Sequence, residues 1–380
     1  MKVGRRSAAR ERQAGDAEHD GALRELLVRV AETPAPTGAE RARGELVAGL
    51  WREAGLTPSF DEVGNVVATL PGAGPRVLVA CHLDSVFEAS VDVRVRRDAE
   101  RWVGAGLGDN AASLAVLTRW VQAPGDGPRP HLTLVATVGE EGLGDLRGAR
   151  HAVARLGADH DLFVALDGYL GSVADQAVGS RRYEARFRAA GGHSWGDYPS
   201  PSAVHAAGTA IARLAELHVP RQPRSSLNVG QVWGGTSINA IAERAGFNLD
   251  LRSVDPEALT RLERAALAAI EEAAAASEAE LELIEVGDRP AGSVDNRALL
   301  AAARGAYEAV GVELVAAPGS TDANAAMAAG LPALSFGVYR GGNAHRLDEW
   351  VDPGSLAVGL RAWRELLARL ARLPRRRTGA

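Results

Sequence analysis

The stretch HLTLVATVGEEG, residues 131–142, is the most informative part of the sequence for the fold, because an apolar strand in it ends at two charged residues. Its first part, HLTLVAT, is an apolar run of the length of a strand that is buried on both faces. Glu140 and Glu141 follow directly, although adjacent carboxylates repel each other and lose hydration in an enclosed site. The pair is either an ordinary solvated loop or a site where one glutamate binds a metal ion and the other moves protons.

Strands and helices alternate on both sides of this stretch. RVLVACH (76–82) and DLFVALDG (161–168) are two further apolar strands. NAASLAVLTRWVQ (110–122) and DLRGARHAVARLG (145–157) have the periodicity of amphipathic helices. Alternating buried strands and helices predict an α/β layered domain with a largely parallel sheet.

The pattern changes between residues 179 and 292. RRYEARFRAAGG (181–192) alternates polar and apolar residues, as a half-exposed antiparallel strand does. The segments that follow give the order strand, helix, strand, strand, helix, strand, which is the ferredoxin-like arrangement. Because the α/β pattern returns afterwards, we predict one α/β domain in two parts, 1–178 and 293–380, interrupted by an inserted domain, 179–292.

Composition limits the class of protein. The chain has 380 residues, of which 46% are hydrophobic and 24% charged, as expected for a globular protein of two ordinary domains. The net charge of -5, without long basic blocks, argues against nucleic acid as a partner. The single cysteine, Cys81, allows no intramolecular disulfide and fits a reducing compartment.

Neither a secretory signal nor a membrane helix is expected from the sequence. The N-terminal segment MKVGRRSAARERQAGDAEHDG lacks the apolar core of a secretory signal. No run reaches the roughly 20 apolar residues that a membrane helix needs. We therefore expect a cytoplasmic protein without a membrane partner.

Metal-compatible side chains recur where the apolar strands end, and ligands of open α/β sheets gather at that edge. Each residue alone would usually be a core histidine, a turn residue or a helix cap. Together they offer imidazole and carboxylate groups, which suit zinc and related divalent ions. Five such ligands hold two ions if one carboxylate is shared. The residues at or after these strand ends are His82, Asp84, Glu140, Glu141, Asp167 and His345, and Asp109 lies on a glycine-rich loop just before a helix.

The ordered motifs of the chain resemble the M20 family of metallopeptidases, from about residue 20 to residue 372. This family comprises co-catalytic zinc aminopeptidases, dipeptidases, glutamate carboxypeptidases and N-acyl-amino-acid deacylases. The motifs are HLDSV (82–86), GLGDN (106–110), TVGEEG (137–142), ALDG (165–168), GGHSW (191–195), GGTSINAIAE (234–243) and AHRLDEW (344–350). The resemblance implies a zinc-peptidase-like three-layer α/β catalytic domain with an inserted ferredoxin-like α+β lid and dimerisation domain.

The resemblance distributes five ligands between two zinc ions, with Co²⁺ or Mn²⁺ as possible substitutes. His82 and Asp167 would bind one ion, and Glu141 and His345 would bind the other. Asp109 would bridge the two ions. The family pattern also implies a cis peptide bond after Asp109.

The remaining residues of these motifs receive catalytic roles. Glu140 would be the general base that activates a water held between the two zinc ions for attack on an amide carbonyl. It would then deliver the proton to the leaving amine. Asp84 would accept the other ring N–H of His82 and fix its tautomer. In TVGEEG, the first glutamate would therefore move the proton and the second would bind metal.

The resemblance also implies substrate contacts, some of them from a homodimer formed through the inserted domain. His193 of the partner subunit's lid would reach the active site and stabilise the oxyanion. Asn239 and Arg252 match positions that contact substrate, and the Arg252 fork suits a substrate carboxylate. The segment PGSTDANAAMAAG (318–330) adds Gly319, Ser320 and Thr321, with backbone N–H groups at a helix start.

Within the family, Asp167 as a zinc ligand favours an aminopeptidase or dipeptidase that acts on small peptides. An N-acyl-amino-acid deacylase or a carboxypeptidase is the alternative, and a catalytically silent binding relative is a third. STDAN (320–324) departs from the GGTDG of familiar tripeptidases. Retention of Glu140 with all five ligands argues against the silent relative.

Overall fold

The computed structural model describes residues 20–376. Residues 1–19, which include most of the segment in which we predict no secretory signal, and residues 377–380 lie outside the described residues. Within the described range, no helix combines the length and the apolar composition that crossing a bilayer requires.

Nine α-helices are found in residues 20–376, and together with the strands they form two compact units. One unit comprises the described residues up to Gln176 and from Val294 onward, and the other is Ala177–Ser293. The helices are α1 (20–31), α2 (Arg41–Glu53), α3 (Ser113–Gln122), α4 (Arg147–Leu156), α5 (Ala203–Glu216), α6 (Pro256–Ala276), α7 (Arg297–Glu308), α8 (Ala323–Ala328) and α9 (Ser355–Leu370).

The strands fall into one large sheet and several smaller ones. They are β1 (Ser59–Phe60), β2 (Val66–Leu70), β3 (Arg76–His82), β4 (Arg96–Arg97), β5 (Trp102–Val103), β6 (His131–Thr137), β7 (Leu162–Ala165), β8 (Ser172–Ala177), β9 (Gly179–Arg188), β10 (Gly192–His193), β11 (Ser225–Gly234), β12 (Ala240–Ile241), β13 (Arg244–Ser253), β14 (Glu280–Arg289), β15 (Val315–Gly319), β16 (Ala333–Ser335), β17 (Arg340–Gly342) and β18 (Trp350–Asp352).

The large sheet of the first unit has the strand order β1-β2-β6-β3-β7-β16. Strands β6, β3, β7 and β16 are parallel, while β1 and β2 are antiparallel at one edge. The carboxyl ends of the parallel strands therefore meet along one edge, where ligands of such sheets bind.

Helices cover both faces of this sheet. Val77, Val79 and Cys81 of β3 belong to the larger apolar cluster, which also contains residues of α1, α2, α3, α7 and α9. Leu78 and Ala80 alternate with them and are buried on the opposite face, where α4 and α8 contact the sheet strands. The predicted three-layer α/β architecture is confirmed.

A second sheet of the same unit consists of strands of two or three residues, in the order β17-β18-β5-β4. All its pairings are antiparallel. The segment after β5 and the loop between β17 and β18 both contribute residues to the candidate site. The sequence does not predict this sheet, because strands this short show no periodicity.

The second unit, Ala177–Ser293, is an antiparallel sheet with the order β11-β13-β9-β14. Two helices, α5 and α6, pack on one face through a separate apolar cluster that includes Phe187 and Phe247. Asp255 caps α6 by accepting the N–H of Ala258 at 2.7 Å, and Pro256 occupies its first turn. The element order and the strand order are those of the ferredoxin-like fold, as predicted.

Candidate metal centre

The parallel strands bring the first residues of the site to one edge of the sheet. His82 is the last residue of β3 and lies beside Thr137, the last residue of β6. The N–H of Leu166 donates to the carbonyl of Ala80 at 2.7 Å and continues the register of β7 with β3. Asp167, the next residue, therefore emerges at the same edge.

Asp109 lies between the two predicted histidine ligands. Its Oδ1 is 3.0 Å from Nε2 of His82, and its Oδ2 is 3.2 Å from Nε2 of His345. The peptide bond between Asp109 and Asn110 is cis, as the resemblance implied. One carboxylate thus faces two imidazoles through its two oxygens, which is the arrangement that a bridging ligand requires.

Glu141 joins this group from the other side. Its Oε1 lies 3.1 Å from Nε2 of His345. The backbone of His345 is left-handed, with φ of 66°, which turns the ring out of the loop between β17 and β18. One possible ligand atom each from His82, Asp109 and Glu141 lie within 4.8 Å of one another.

Asp84 holds the turn that carries the two glutamates. Its Oδ1 accepts the N–H of Glu140 at 3.0 Å, and its Oδ2 accepts the N–H of Glu141 at 2.9 Å and the hydroxyl of Thr37 at 2.9 Å. Nδ1 of His82 lies 3.1 Å from the carbonyl of Asp84 and 3.5 Å from its carboxylate. The nearer acceptor for the histidine is thus the backbone carbonyl, and the carboxylate mainly fixes the Glu140–Glu141 backbone.

Glu349 supports the loop of Asp109 and was not among the predicted site residues. Its buried carboxylate accepts backbone N–H groups from Asp109 at 2.8 Å and from Gly108 and Gly106 at 2.9 Å each. Its only signal in the sequence is its place in the motif AHRLDEW, directly before the strand WVD. Only the contact with a loop 240 residues away reveals what it does.

The charges of the cluster perturb its titrating groups. Hydrogen bonds with Asp109 and Glu141 raise the pKa of His345 to about 10. Burial lowers the pKa of His82, but hydrogen bonds with Asp109 and Asp84 outweigh it and leave that pKa well above its ordinary value.

The pKa values of the carboxyl groups are shifted in opposite directions. Burial raises the pKa of Asp167 to about 7, and the negative charge of Asp109 adds to the effect. Burial also opposes ionisation of Asp109, yet hydrogen bonds from His345 and His82 hold its pKa below the ordinary value. Burial raises the pKa of Glu349 to about 8, although the N–H of Asp109 favours its charged form.

The segment Gly319–Thr321 lies in the first unit and runs from the last residue of β15 towards α8. The N–H of Thr321 donates to Oδ1 of Asn324 at 3.1 Å, so this donor is already used within the chain. The following residue, Asp322, is buried and accepts the hydroxyl of Thr137 at 2.5 Å, which ties the start of α8 to the end of β6.

His193 and Asn239 lie side by side in the second unit. His193 pairs with Ala240 across β10 and β12, and the N–H of Ser194 donates to the carbonyl of Asn239 at 3.0 Å. Nδ1 of the exposed His193 ring accepts N–H groups from Trp195 at 3.2 Å and from Gly196 at 3.3 Å. In the neutral ring the proton is therefore on Nε2, which remains a hydrogen-bond donor.

Arg252 lies near the other end of β13 from this pair. Its Nε donates to Oδ2 of Asp250 at 2.7 Å, and Oδ1 of Asp250 accepts Nε of Arg182 at 3.0 Å. Its side chain is 39% exposed, so part of the guanidinium fork faces solvent.

The donor set suits divalent cations. The group of His82, Asp109 and Glu141 offers imidazole and carboxylate ligands within 4.8 Å of one another, and no thiolate takes part, because Cys81 is buried as a free thiol. The two histidine Nε2 atoms both face Asp109, and protons on them balance its charge. A bound cation would provide the same balance, so the residues present fit the metal site that the sequence predicts.

Curated relatives match the chain over different lengths. A protein of Mycobacterium tuberculosis, provisionally named succinyl-diaminopimelate desuccinylase DapE, is 26% identical over 362 residues, which are 90% of this chain and 97% of the relative. A Pyrococcus furiosus protein, provisionally named LysW-lysine/LysW-ornithine hydrolase, is 35% identical over 91 residues. That match spans 24% of this chain and about a quarter (27%) of the relative's own length.

Solved structures share the fold over nearly the whole chain. A tripeptidase of Staphylococcus aureus matches with a TM-score of 0.79 and 22% identity, covering 93% of this chain and 99% of the tripeptidase. YxeP of Bacillus subtilis, described as a dinuclear metal-binding peptidase of the M20 family, matches with a TM-score of 0.67 and 17% identity, covering 93% and 98%.

The family model for Peptidase family M20/M25/M40 matches residues 78–369, which include every residue of the candidate metal centre. The fold, shared with the tripeptidase over more than nine-tenths of the chain, accompanies this match. The chain belongs to Peptidase family M20/M25/M40.

Proposed function

We propose that the protein hydrolyses amide bonds of small peptides with two divalent metal ions, as an aminopeptidase or dipeptidase. The observation that carries this proposal is the Asp109 carboxylate, whose two oxygens face His82 and His345 at 3.0 and 3.2 Å. Glu141 lies beside them, and Glu140 is held on the same turn by Asp84.

The ligands of the proposed centre are those of the prediction. His82 and Asp167 would hold one ion, Glu141 and His345 the other, and Asp109 both. Zinc is the ion we propose, with Co²⁺ or Mn²⁺ as substitutes, since all three accept mixed imidazole and carboxylate ligands. Such ions lower the pKa of a bound water and polarise a carbonyl group.

Glu140 is the proposed general base. Its backbone is fixed by the Asp84 carboxylate, so its side chain starts from a defined position next to the ligand Glu141. It takes a proton from the water that attacks the amide carbon, and it gives a proton to the amine when the C–N bond breaks. Its burial strengthens this role, because water does not compete for the carboxylate.

The inserted domain supplies the proposed oxyanion donor. Nε2–H of His193 is directed away from its own hairpin, because Nδ1 accepts two backbone N–H groups. We propose that this group acts in the active site of the partner subunit of a homodimer. Asn239, next to His193, and Arg252 would contact substrate, and Gly319, Ser320 and Thr321 would line the site from the catalytic unit.

A deacylase or carboxypeptidase is the second candidate. It is favoured by the relative that matches 90% of the chain, whose provisional name describes removal of a succinyl group from an amine. The chemistry at the metal centre would be the same, because both reactions cleave an amide. The difference lies in whether the substrate carries a free or a blocked amine.

Turnover of two matched substrate sets by zinc-loaded protein tests the proposal. The free-amine set is Leu-Gly, Leu-Gly-Gly and β-Ala-His, and the blocked set is N-acetyl amino acids and N-benzoyl-Glu. We expect cleavage of the free-amine set, and Glu140→Ala is expected to lose turnover with its metal content unchanged. Preference for the blocked set would move the assignment to the second candidate.

Absence of turnover on both sets, with two metals bound, would favour a silent binding relative. Loss of metal in Glu140→Ala would show that the base is misassigned. We also propose a cytoplasmic location, since the one cysteine is a buried free thiol, which fits a reducing compartment.

A further inference from the structure

Two open cavities of the catalytic unit meet next to the metal centre. One, of about 650 Å³, is lined by Val91, Asp92, Arg94, Arg96, Gly104, Ala105 and Leu347. The other, of about 580 Å³, is lined by Arg96, His345, Arg346, Leu347 and Asp348. Arg96 and Leu347 line both, so the cavities form one groove that reaches the proposed ligand His345.

Most charges of this groove are paired within the chain. Arg94 binds Asp92 through Nε and Nη2, at 2.6–3.0 Å, and Arg346 binds Asp348 at 2.8 Å. Besides His345, three arginines and two aspartates line the groove, so the charge of one arginine is left over. Within residues 20–376, Arg96 has no carboxylate within ion-pair distance, since Asp92 binds Arg94 and Asp348 binds Arg346, and Arg96 is the arginine that carries this charge.

Strand β4 directs Arg96 into the groove. Its neighbour Arg97 lies over the Trp102 ring at 5.1 Å and binds Glu25 at 2.7 Å. Successive side chains of a strand point to opposite faces, so Arg96 takes the face opposite to Arg97. The pairing of Arg96 with Val103 across β5 fixes this orientation.

We propose that Arg96 binds a second carboxylate of the substrate and selects amides that carry an acidic group in addition to the C-terminal carboxylate. This inference rests on the proposed function and names its substrate class. An exposed arginine fork suits a carboxylate bidentately. Leu347, 66% exposed in the same groove, offers an apolar surface for the carbon chain between the acid and the scissile amide.

The test compares substrates that differ only by carboxylate against amide. The pairs are N-succinyl-Leu with N-succinamoyl-Leu, Glu-Leu with Gln-Leu, and Leu-Glu with Leu-Gln. For at least one pair, zinc-loaded wild type is expected to prefer the acid about tenfold or more in kcat/KM. Arg96→Met is expected to remove that preference and to leave kcat/KM for the amide member within about threefold.

Arg97→Met is the matched control, because it removes the adjacent arginine of the same strand, which faces away from the groove. It is expected to keep the wild-type preference. A preference that survives in Arg96→Met, or an equal loss for both members of every pair, would overturn the inference while the proposed function stands.

If wild type turns over none of these amides, a binding measurement still tests the Arg96 subsite separately from the proposed function. Titration calorimetry of metal-loaded protein with succinate and with succinamate uses the same pair of end groups without hydrolysis. Tighter binding of succinate to wild type, lost in Arg96→Met, would support the acid subsite even though the proposed function fails. Equal binding of both compounds would overturn it.

Discussion

At the scale of single residues, the site depends on carboxylates that hold backbone rather than metal. Asp84 accepts the N–H groups of Glu140 and Glu141, and Glu349 accepts those of the Asp109 loop. Residues that orient metal ligands typically change metal affinity by 10–100-fold when they are replaced. These two carboxylates are therefore as important for the geometry as the ligands are.

Replacement of Glu349 is expected to weaken metal binding. In Glu349→Ala three backbone N–H groups lose their acceptor, so the Asp109 loop is no longer held, and we expect about 10–100-fold weaker zinc binding. Competition with a chromogenic chelator measures it. Glu349→Gln keeps one acceptor oxygen and should restore part of the affinity.

Glu45→Gln, which removes an exposed partner of Arg41, is a suitable control for this series. If Glu349→Ala lowers the melting temperature but binds zinc as wild type does, Glu349 has only a structural role.

Metal binding is expected to release protons, and its affinity should increase with pH. The pKa of His345 is about 10, and that of His82 is also raised, so both rings carry protons at pH 7 that a metal ion must displace. Raising the pH towards 10 removes these protons beforehand and should tighten binding. Calorimetry at pH 7 in buffers of different ionisation enthalpy should find about two to three protons released, because the ligand Asp167, whose pKa is about 7, is also partly protonated at this pH.

The variant His345→Asn should release about one proton fewer, because the substituted side chain does not titrate. A zinc affinity that is independent of pH between 6 and 9 would contradict the predicted competition.

At the scale of elements, the site depends on short irregular segments that lie between regular strands. Gly106 has a left-handed backbone with φ of 69°, and it precedes the Asp109 loop. A Cβ on Gly108 would lie 2.6 Å from Oε1 of Glu349 and 2.8 Å from the ring of Tyr339. The loop thus approaches the buried glutamate as closely as it does only because it lacks a side chain there.

Gly108→Ala is therefore expected to destabilise the loop together with the metal site. Forcing a methyl group into such a contact typically costs about 1–3 kcal/mol. Thermal unfolding should show a lower melting temperature, and zinc affinity should fall with it. Gly104→Ala is the matched control, since its nearest neighbour would be the Arg94 carbonyl at 3.5 Å, an ordinary contact. Equal behaviour of the two variants would refute the explanation.

The elements that the sequence predicts best are those with long apolar repeats. Strands β3, β6 and β7 and helices α3 and α4 lie where their apolar patterns place them. The sheet β17-β18-β5-β4 is missed, because strands of two or three residues contain too little pattern. Because this sheet was not predicted, Glu349 and Arg96, which lie in or beside its strands, were not predicted as functional residues either.

At the scale of the whole molecule, the decisive proposal is that two subunits share each active site. His193→Ala and Glu140→Ala should each be nearly inactive as homodimers. After mixing and exchange of subunits, half of the dimers are mixed, and each mixed dimer has one site with both residues intact. About a quarter of wild-type turnover should therefore return.

Recovery of activity distinguishes the shared site from a site within one subunit. If His193 acted in its own subunit, each site of a mixed dimer would lack one residue, and no activity would return. Sedimentation at the assay concentration should confirm a dimer for both variants.

The sequence by itself determined the architecture and the residue types of the site. Periodicity separates the α/β unit from the ferredoxin-like insertion because burial repeats along the chain with the period of each element. The strand ends predict His82, Glu140, Glu141 and Asp167 as site residues, since a parallel sheet brings such ends to one edge, and the motifs around Asp109 and His345 add the other two.

Only the tertiary structure decided which groups meet and what supports them. The supporting contacts join segments that lie 27 to 243 residues apart in the sequence. They are the contacts of Asp109 with two histidines, of Asp84 with the turn of the two glutamates, and of Glu349 with the Asp109 loop. Local patterns contain no information on such pairs, because a hydrogen bond between distant segments depends on how all the intervening elements pack. Within residues 20–376, the charge of Arg96 that is left without an ion pair has the same origin, since it is recognised only from the ion pairs of the neighbouring arginines.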